Sequence, residues 1–313
     1  MRRLLPAILL AVYACASDAR VDGPVLGYVF DKEGSAIRAI LGIPGSSRFS
    51  EPLPVGEFAL EKVWIAPGRS YAIAARTDSK LSLIDLLTAK ASEIAGNVTD
   101  DVPDRVVWSA KGIAAALLYS TGRIRVLTNM DFSPEAGIEV SAGADVSAAA
   151  VSDDGLIVLA LRRTEQGTTL KAFGEAGEER LLLTAPALSH VAFLNGTRDA
   201  VVSDAAEGKV YLLRNATGLS IVGQVDEPSA LAVSPDNSRV LVASKSRGRV
   251  ASIAINDGVV TSFECNCAPA DLDPLRGSMF RVTGLTEATV WLFNADAAAN
   301  PFTFVPRLPR RHE

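Results

Sequence analysis

Short apolar runs alternate with polar turns along almost the whole chain, and the turns recur at nearly constant spacing. A run ends in a turn built from Pro, Gly, Asn or Asp, and a second, more apolar run follows at once. The turns read Ala66-Pro67-Gly68, Ala110-Lys111-Gly112, Asp153-Asp154-Gly155, Leu194-Asn195-Gly196, Pro235-Asp236-Asn237 and, more weakly, Leu275-Arg276-Gly277. Anchored on the last residue of each, the intervals are 44, 43, 41, 41 and 40 residues. Gly and Asn tolerate the positive φ that tight hairpins need, and Pro presets φ at the first turn position.

One repeat parses into four strands. Leu60 to Ile65 is the first and Tyr71 to Ala75 the second; Leu81 to Asp85 is the third and Ser92 to Ala95 an edge strand. The second strand is apolar on both faces, as expected of one sandwiched between neighbouring sheets. Its counterparts are Ile113 to Leu118, Leu156 to Leu161, Asp199 to Val202 and Arg239 to Ala243. Third strands, such as Lys209 to Leu213, Arg249 to Ile253 and Thr289 to Phe293, alternate more and predict a more exposed position. No segment carries a helical stripe beyond two turns. A strand-built repeat of this period predicts an all-β fold, a β-propeller of four-stranded antiparallel blades.

The blade number rests on the N-terminus. Gly27 to Asp31 and Ala36 to Leu41 form a hairpin before the first anchor, read here as an outer pair. Seven blades of about 42 residues need about 294 residues. That favours seven blades, with an incomplete one near the termini; six blades plus an extra hairpin is the alternative.

The segment Val233-Ser234-Pro235-Asp236-Asn237-Ser238-Arg239-Val240-Leu241-Val242-Ala243-Ser244, followed by Gly248-Arg249-Val250, resembles one unit of the bacterial YVTN-type propellers. Asn237 stands where those repeats usually have glycine, and Ser244 where they have asparagine. The Gly-His and Trp-Asp marks of WD40 repeats are missing, and Trp64 and Trp108 sit in first strands instead. The phrases Gly27 to Asp31 and Ile40 to Gly45 are similar to exported propellers of soil bacteria. The resemblance implies a fold and an exported location, and it supplies no activity.

The first sixteen residues stand apart from this repeat. Arg2-Arg3, the apolar run Leu4 to Val12 and Ala14-Cys15-Ala16 give the three parts of a secretory signal peptide, too short to span a bilayer. Cleavage after Ala16 leaves about 297 residues: the propeller over 17–306 and a basic tail over 307–313. Val12-Tyr13-Ala14-Cys15 also resembles a lipobox, which would make Cys15 a lipid anchor, although Tyr13 fits that pattern poorly. The expected location is periplasmic, secreted or cell-surface. No later stretch is long and apolar enough to form a transmembrane segment. The charge of −5 becomes −7 without Arg2 and Arg3, which argues against nucleic acid as a partner.

Candidate chemistry is sparse. His312 lies in the tail, and His190 opens the first strand of a repeat, where capping or packing is the expected role. No G-x-S-x-G elbow, phosphate loop or histidine-rich metal set is present, so no catalytic, cofactor-binding or metal residue is assigned. Asp100, Asp101 and Asp104 crowd one inter-blade loop and Asp271 and Asp273 another, while Asn294, Asp296 and Asn300 approach the spacing of a calcium loop without its D-x-D-x-D-G rhythm; all read as turn residues. Cys265 and Cys267 would lie ~6.5–7 Å apart in a strand, at the upper edge of disulfide geometry, unless Asn266 allows a turn. A disulfide or buried thiol pair, a soft-metal site and a redox pair all stay open. The sequence therefore predicts an exported, non-catalytic scaffold that binds a protein or small ligand through its loop faces. The alternative is a lactonase-like hydrolase at the channel mouth, with Glu57, Asp104, Asp145, His190 and Ser229 the positions to inspect.

Overall fold

The computed structural model describes residues 23–94, 101–175, 177–215, 217–285 and 289–306. The signal peptide, Cys15, Asp100, His312 and the basic tail lie outside the described residues. Among those described there is no helix, and none is therefore long and apolar enough to cross a membrane.

Seven antiparallel sheets follow one another along the chain, each a blade of a seven-bladed β-propeller. Blade 1 is β1 (Val25–Asp31), β2 (Ala36–Ile43) and β3 (Ser46–Phe49). Blade 2 is β4 (Leu60–Ile65), β5 (Tyr71–Arg76), β6 (Leu81–Asp85) and β7 (Lys90–Glu93). Blade 3 is β8 (Arg105–Trp108), β9 (Ala115–Leu118), β10 (Arg123–Thr128) and β11 (Glu135–Ser141). Blade 4 is β12 (Val146–Val151), β13 (Val158–Thr164), β14 (Gly167–Phe173) and β15 (Glu179–Ala185). Blade 5 is β16 (Leu188–Phe193), β17 (Ala200–Asp204), β18 (Lys209–Arg214) and β19 (Gly218–Gln224). Blade 6 is β20 (Ala230–Val233), β21 (Arg239–Ser244), β22 (Arg249–Ala254) and β23 (Val260–Glu264). Blade 7 is β24 (Asp273–Pro274), β25 (Met279–Arg281), β26 (Thr289–Asn294) and β27 (Phe302–Pro306).

The anchors do what their composition requires. Gly68, Gly112, Gly155, Gly196, Asn237 and Gly277 all sit at φ between 59° and 71°, each just past the end of an innermost strand. A seventh anchor is present at Ser35, φ 45°, in the turn between β1 and β2. It escapes the sequence pattern because serine rarely marks this conformation and because blade 1 is short. The hairpin expected on the outside is consequently the inner pair of blade 1. After β3 the chain runs on beside β2, with Ser50 N donating to Ala39 O at 2.8 Å and Leu53 N to Ile37 O at 2.9 Å, before it crosses to blade 2.

Period-two alternation in the second strands divides their side chains between two neighbours. Ala72 and Ala74 face blade 1, whereas Ile73 and Ala75 face blade 3. Seven apolar clusters result, one between each pair of adjacent blades, so the core is a ring of interfaces. Third strands are more buried than the sequence suggested: β18 and β22 are buried over their four central residues. Adjacent blades cover both faces and the fourth strand covers the outer edge. Solvent exposure falls instead on fourth strands such as β7, two residues earlier than expected, and β19.

Closure between blades 7 and 1 involves no shared sheet among the described residues. Val29 and Ile40 pack against Leu275, Met279, Val290, Leu292 and Val305 in the smallest of the seven clusters. Arg276 N donates to Leu26 O at 2.7 Å, and its Nη2 reaches past blade 1 to Ser70 Oγ at 2.6 Å.

Candidate functional site: the central channel

The seven innermost strands surround a central cavity of about 860 Å³. Its wall is chiefly apolar, with Phe30, Trp64, Trp108, Phe193 and Phe280 among its larger side chains. Trp64 and Trp108 are half-buried neighbours on β4 and β8. Trp108 Nε1 donates to Trp64 O at 3.2 Å, and its ring meets that of Tyr71 at 5.7 Å between centroids. The indole is thus fixed in place with its polar atom satisfied, so what it offers the cavity is an apolar π-surface.

One rim is tied together by the anchors. Asp153 accepts from Lys111 N at 2.7 Å and from Gly196 N at 2.6 Å, joining three blades. Asn195 N donates to Asn237 Oδ1 at 2.8 Å, and Asn237 Nδ2 returns a bond to Asn195 O at 2.9 Å. Asn at position 237 therefore takes the left-handed turn and supplies an inter-blade lock that glycine could not. Within the same turn, the Ser234 hydroxyl, with Ser238 assisting, pulls the Asp236 carboxyl down to about 2.

The cavity's charged lining residues, among those described, are Lys32, Asp273 and Arg281. Asp273 is not in an inter-blade loop, as the sequence suggested, but pairs with Arg281 across β24 and β25. Arg281 Nη1 donates to Asp271 Oδ2 at 3.1 Å and also to Thr283 O, while Nη2 donates to Asp273 Oδ2. The two carboxylates hold the guanidinium's pKa above its ordinary value despite its burial. Burial, reinforced by Asp273, pushes the Asp271 carboxyl up.

The five positions singled out for a hydrolase do not converge on this cavity. Glu57, Asp104 and Asp145 are exposed, and none of the five lines the cavity. Only His190 and Ser229 meet, through a backbone hydrogen bond. His190 Nδ1 lies 3.0 Å from Ser189 Oγ and 3.3 Å from Ser203 Oγ, and burial lowers its pKa, so the ring is a neutral packing element. Ser203 is wholly buried and has no route to an external substrate. Among the described residues no three His, Cys, Asp or Glu side chains gather in a way that could hold a metal ion.

Cys265 and Cys267 are joined as a disulfide, their Cα atoms 5.1 Å apart. The chain bends at Asn266 between β23 and β24, so strand spacing does not apply. The bridge lies away from the channel wall.

The sequence reading took Asp273 for a turn residue and overlooked Arg281 and the channel role of the two tryptophans. The signal for Trp64, Trp108 and Asp273 was their place four residues before an anchor, where blades 4, 5 and 6 carry Val151, Ala192 and Val233; Arg281 had none.

Neither a known family nor a curated protein matches the chain. Solved structures share the fold. A functionally unknown protein from Desulfotomaculum acetoxidans superposes with a TM-score of 0.54 at 14% identity, over 75% of this chain and 78% of that one. The dihydro-heme d1 dehydrogenase NirN gives 0.55 at 16%, over 80% of this chain and 57% of that one. Kuenenia stuttgartiensis hydrazine synthase gives 0.51 at 14%, over 94% and 99%. At these identities the likeness extends to the propeller fold alone.

Proposed function

We propose that this protein is an exported, non-catalytic propeller that binds a small, largely apolar molecule in its central channel. The observation that carries the reading is the cavity of about 860 Å³ walled by apolar side chains, the indoles of Trp64 and Trp108 among them. Its size falls in the range of small-molecule sites, about 300–1,000 Å³, and such sites are mostly apolar with a few polar groups. Export rests on the basic, apolar and small-residue pattern of residues 1–16. The enzyme names among the structural neighbours belong to those proteins, and the dispersal of Glu57, Asp104, Asp145, His190 and Ser229 gives a hydrolase reading no support here.

Titration calorimetry with 4-phenylbutan-1-ol tests the channel. Saturable binding to the parent and its loss in Ala110→Trp, which places an indole at the anchor rim where Ala110 lines the cavity, are expected. Unchanged binding in a folded Ala110→Trp variant would move the site off the channel and overturn the reading.

A further inference from the structure

We infer that the channel selects organic cations, an apolar or aromatic body carrying a protonated amine, over carboxylates of the same shape. The inference rests on the channel reading above and assigns it a ligand class. Arg281 lines the cavity, yet three of its five N–H donors are engaged by Asp271, Asp273 and the Thr283 carbonyl, and its side chain is only 15% exposed. An incoming carboxylate would meet the Asp271 and Asp273 carboxylates beside the guanidinium, which repel it. Asp273 is the reverse case. Its side chain is 57% exposed and lines the cavity, and Arg281 engages one oxygen, Oδ2. A carboxylate offers about four acceptor sites over two oxygens, so Asp273 retains capacity for an N–H donor.

The formal charge of Asp271, Asp273 and Arg281 together is −1. Arg281 holds Asp273 from the adjacent strand, so the free acceptor is oriented before a ligand arrives, which lowers the cost of binding. The aromatic wall adds to the same preference, because the faces of Trp64 and Trp108 attract cations and repel anions. Lys32, the remaining charged lining residue, sits in the β1–β2 turn at the anchor rim, and Asp273 lies four residues before its own anchor, Gly277. Trp64 and Trp108 hold the same place before Gly68 and Gly112, so an amphiphile with its amine at Asp273 would lay its apolar body against the indoles.

Calorimetry with three probes of one skeleton tests this: 4-phenylbutylamine, 4-phenylbutan-1-ol and 4-phenylbutyrate. The amine is expected to bind at least about tenfold more tightly than the butyrate, the scale of one charge-assisted hydrogen bond. In Asp273→Asn, with folding checked by its melting transition, that ratio should fall below about threefold. Butyrate binding as well as the amine, or an amine preference that survives Asp273→Asn, would overturn the cation selectivity and leave the channel site standing. Failure of all three probes to bind would overturn both.

Discussion

Gly27 and Leu275 meet at the one blade interface that the chain must close between its ends. A Cβ built on Gly27 meets Leu275 Cδ2 at 2.6 Å, Cβ at 3.0 Å and Cγ at 3.2 Å, and the backbone there is not in the left-handed region. The conformation itself therefore accepts alanine, which would gain about 0.4–1 kcal/mol from a stiffer unfolded chain. Overpacking opposes this by about 1–3 kcal/mol, because Leu275 is only 6% exposed and has little room to retreat. The expected net loss for Gly27→Ala is about 1.3 kcal/mol at the midpoints of these ranges and at most about 2.6 kcal/mol. Leu275→Ala opens a cavity instead and should cost about 2–5 kcal/mol. In the double variant the clash with Cδ2 and Cγ is gone, so the two losses should combine to less than their sum, as expected of residues in contact. Thermal unfolding of all four proteins measures the cycle, with a shift of about 2 °C per kcal/mol for a domain of this size. A Gly27→Ala melting point at or above the parent's, or strict additivity in the cycle, would falsify the packed seam.

Other consequences of the ring can be checked by similar means. Deleting residues 22 to 45 removes β1 and β2 and should lower the melting transition of the whole domain, and a truncated protein that melts like the parent would refute closure through blade 1. At the anchor rim, Asn237→Ala loses the lock with Asn195 and forces a left-handed alanine, a cost of about 2–3 kcal/mol; Asn237→Gly loses only the bonds, about 1 kcal/mol. Equal losses in the two variants would remove the conformational part of the explanation. Asp236 and His190 both weaken the fold as the pH falls. Asp236, held at about 2, stabilises the fold above the ordinary carboxyl value of 3.8, and this is lost as pH falls toward 2. His190, held below 6.5 by burial, stays neutral while the unfolded chain takes up a proton, so stability declines as pH drops beneath 6.5. An NMR titration placing the His190 pKa at or above 6.5 would contradict the second.

Much of the architecture was legible because it is written in backbone constraints. Six anchors needed positive φ, and Gly or Asn stood at each; β4 and β6 coincide with the strands read from the sequence. Blade 1 was misplaced because its anchor residue is Ser35 and it has three strands, the chain crossing to blade 2 from beside β2, so both the composition and the spacing were irregular. Third-strand burial was misread because alternation along one strand reports the contrast between its faces, whereas burial here is set by the adjacent blades and the fourth strand. The channel was the least legible part. Asp273 and Arg281 are eight residues apart and become partners only through the β24–β25 register, and the nearness of Trp64 and Trp108 depends on the packing of blade 2 against blade 3.

Fluorine NMR of the protein labelled with 5-fluorotryptophan addresses the central claim directly, because its three tryptophans are Trp64 and Trp108 on the channel wall and Trp291 on β26. Titration with 4-phenylbutylamine should shift the Trp64 and Trp108 resonances together, with one saturation curve, and leave Trp291 in place. Movement of Trp291 alone, or a saturable heat of binding with all three resonances fixed, would contradict a ligand site in the channel.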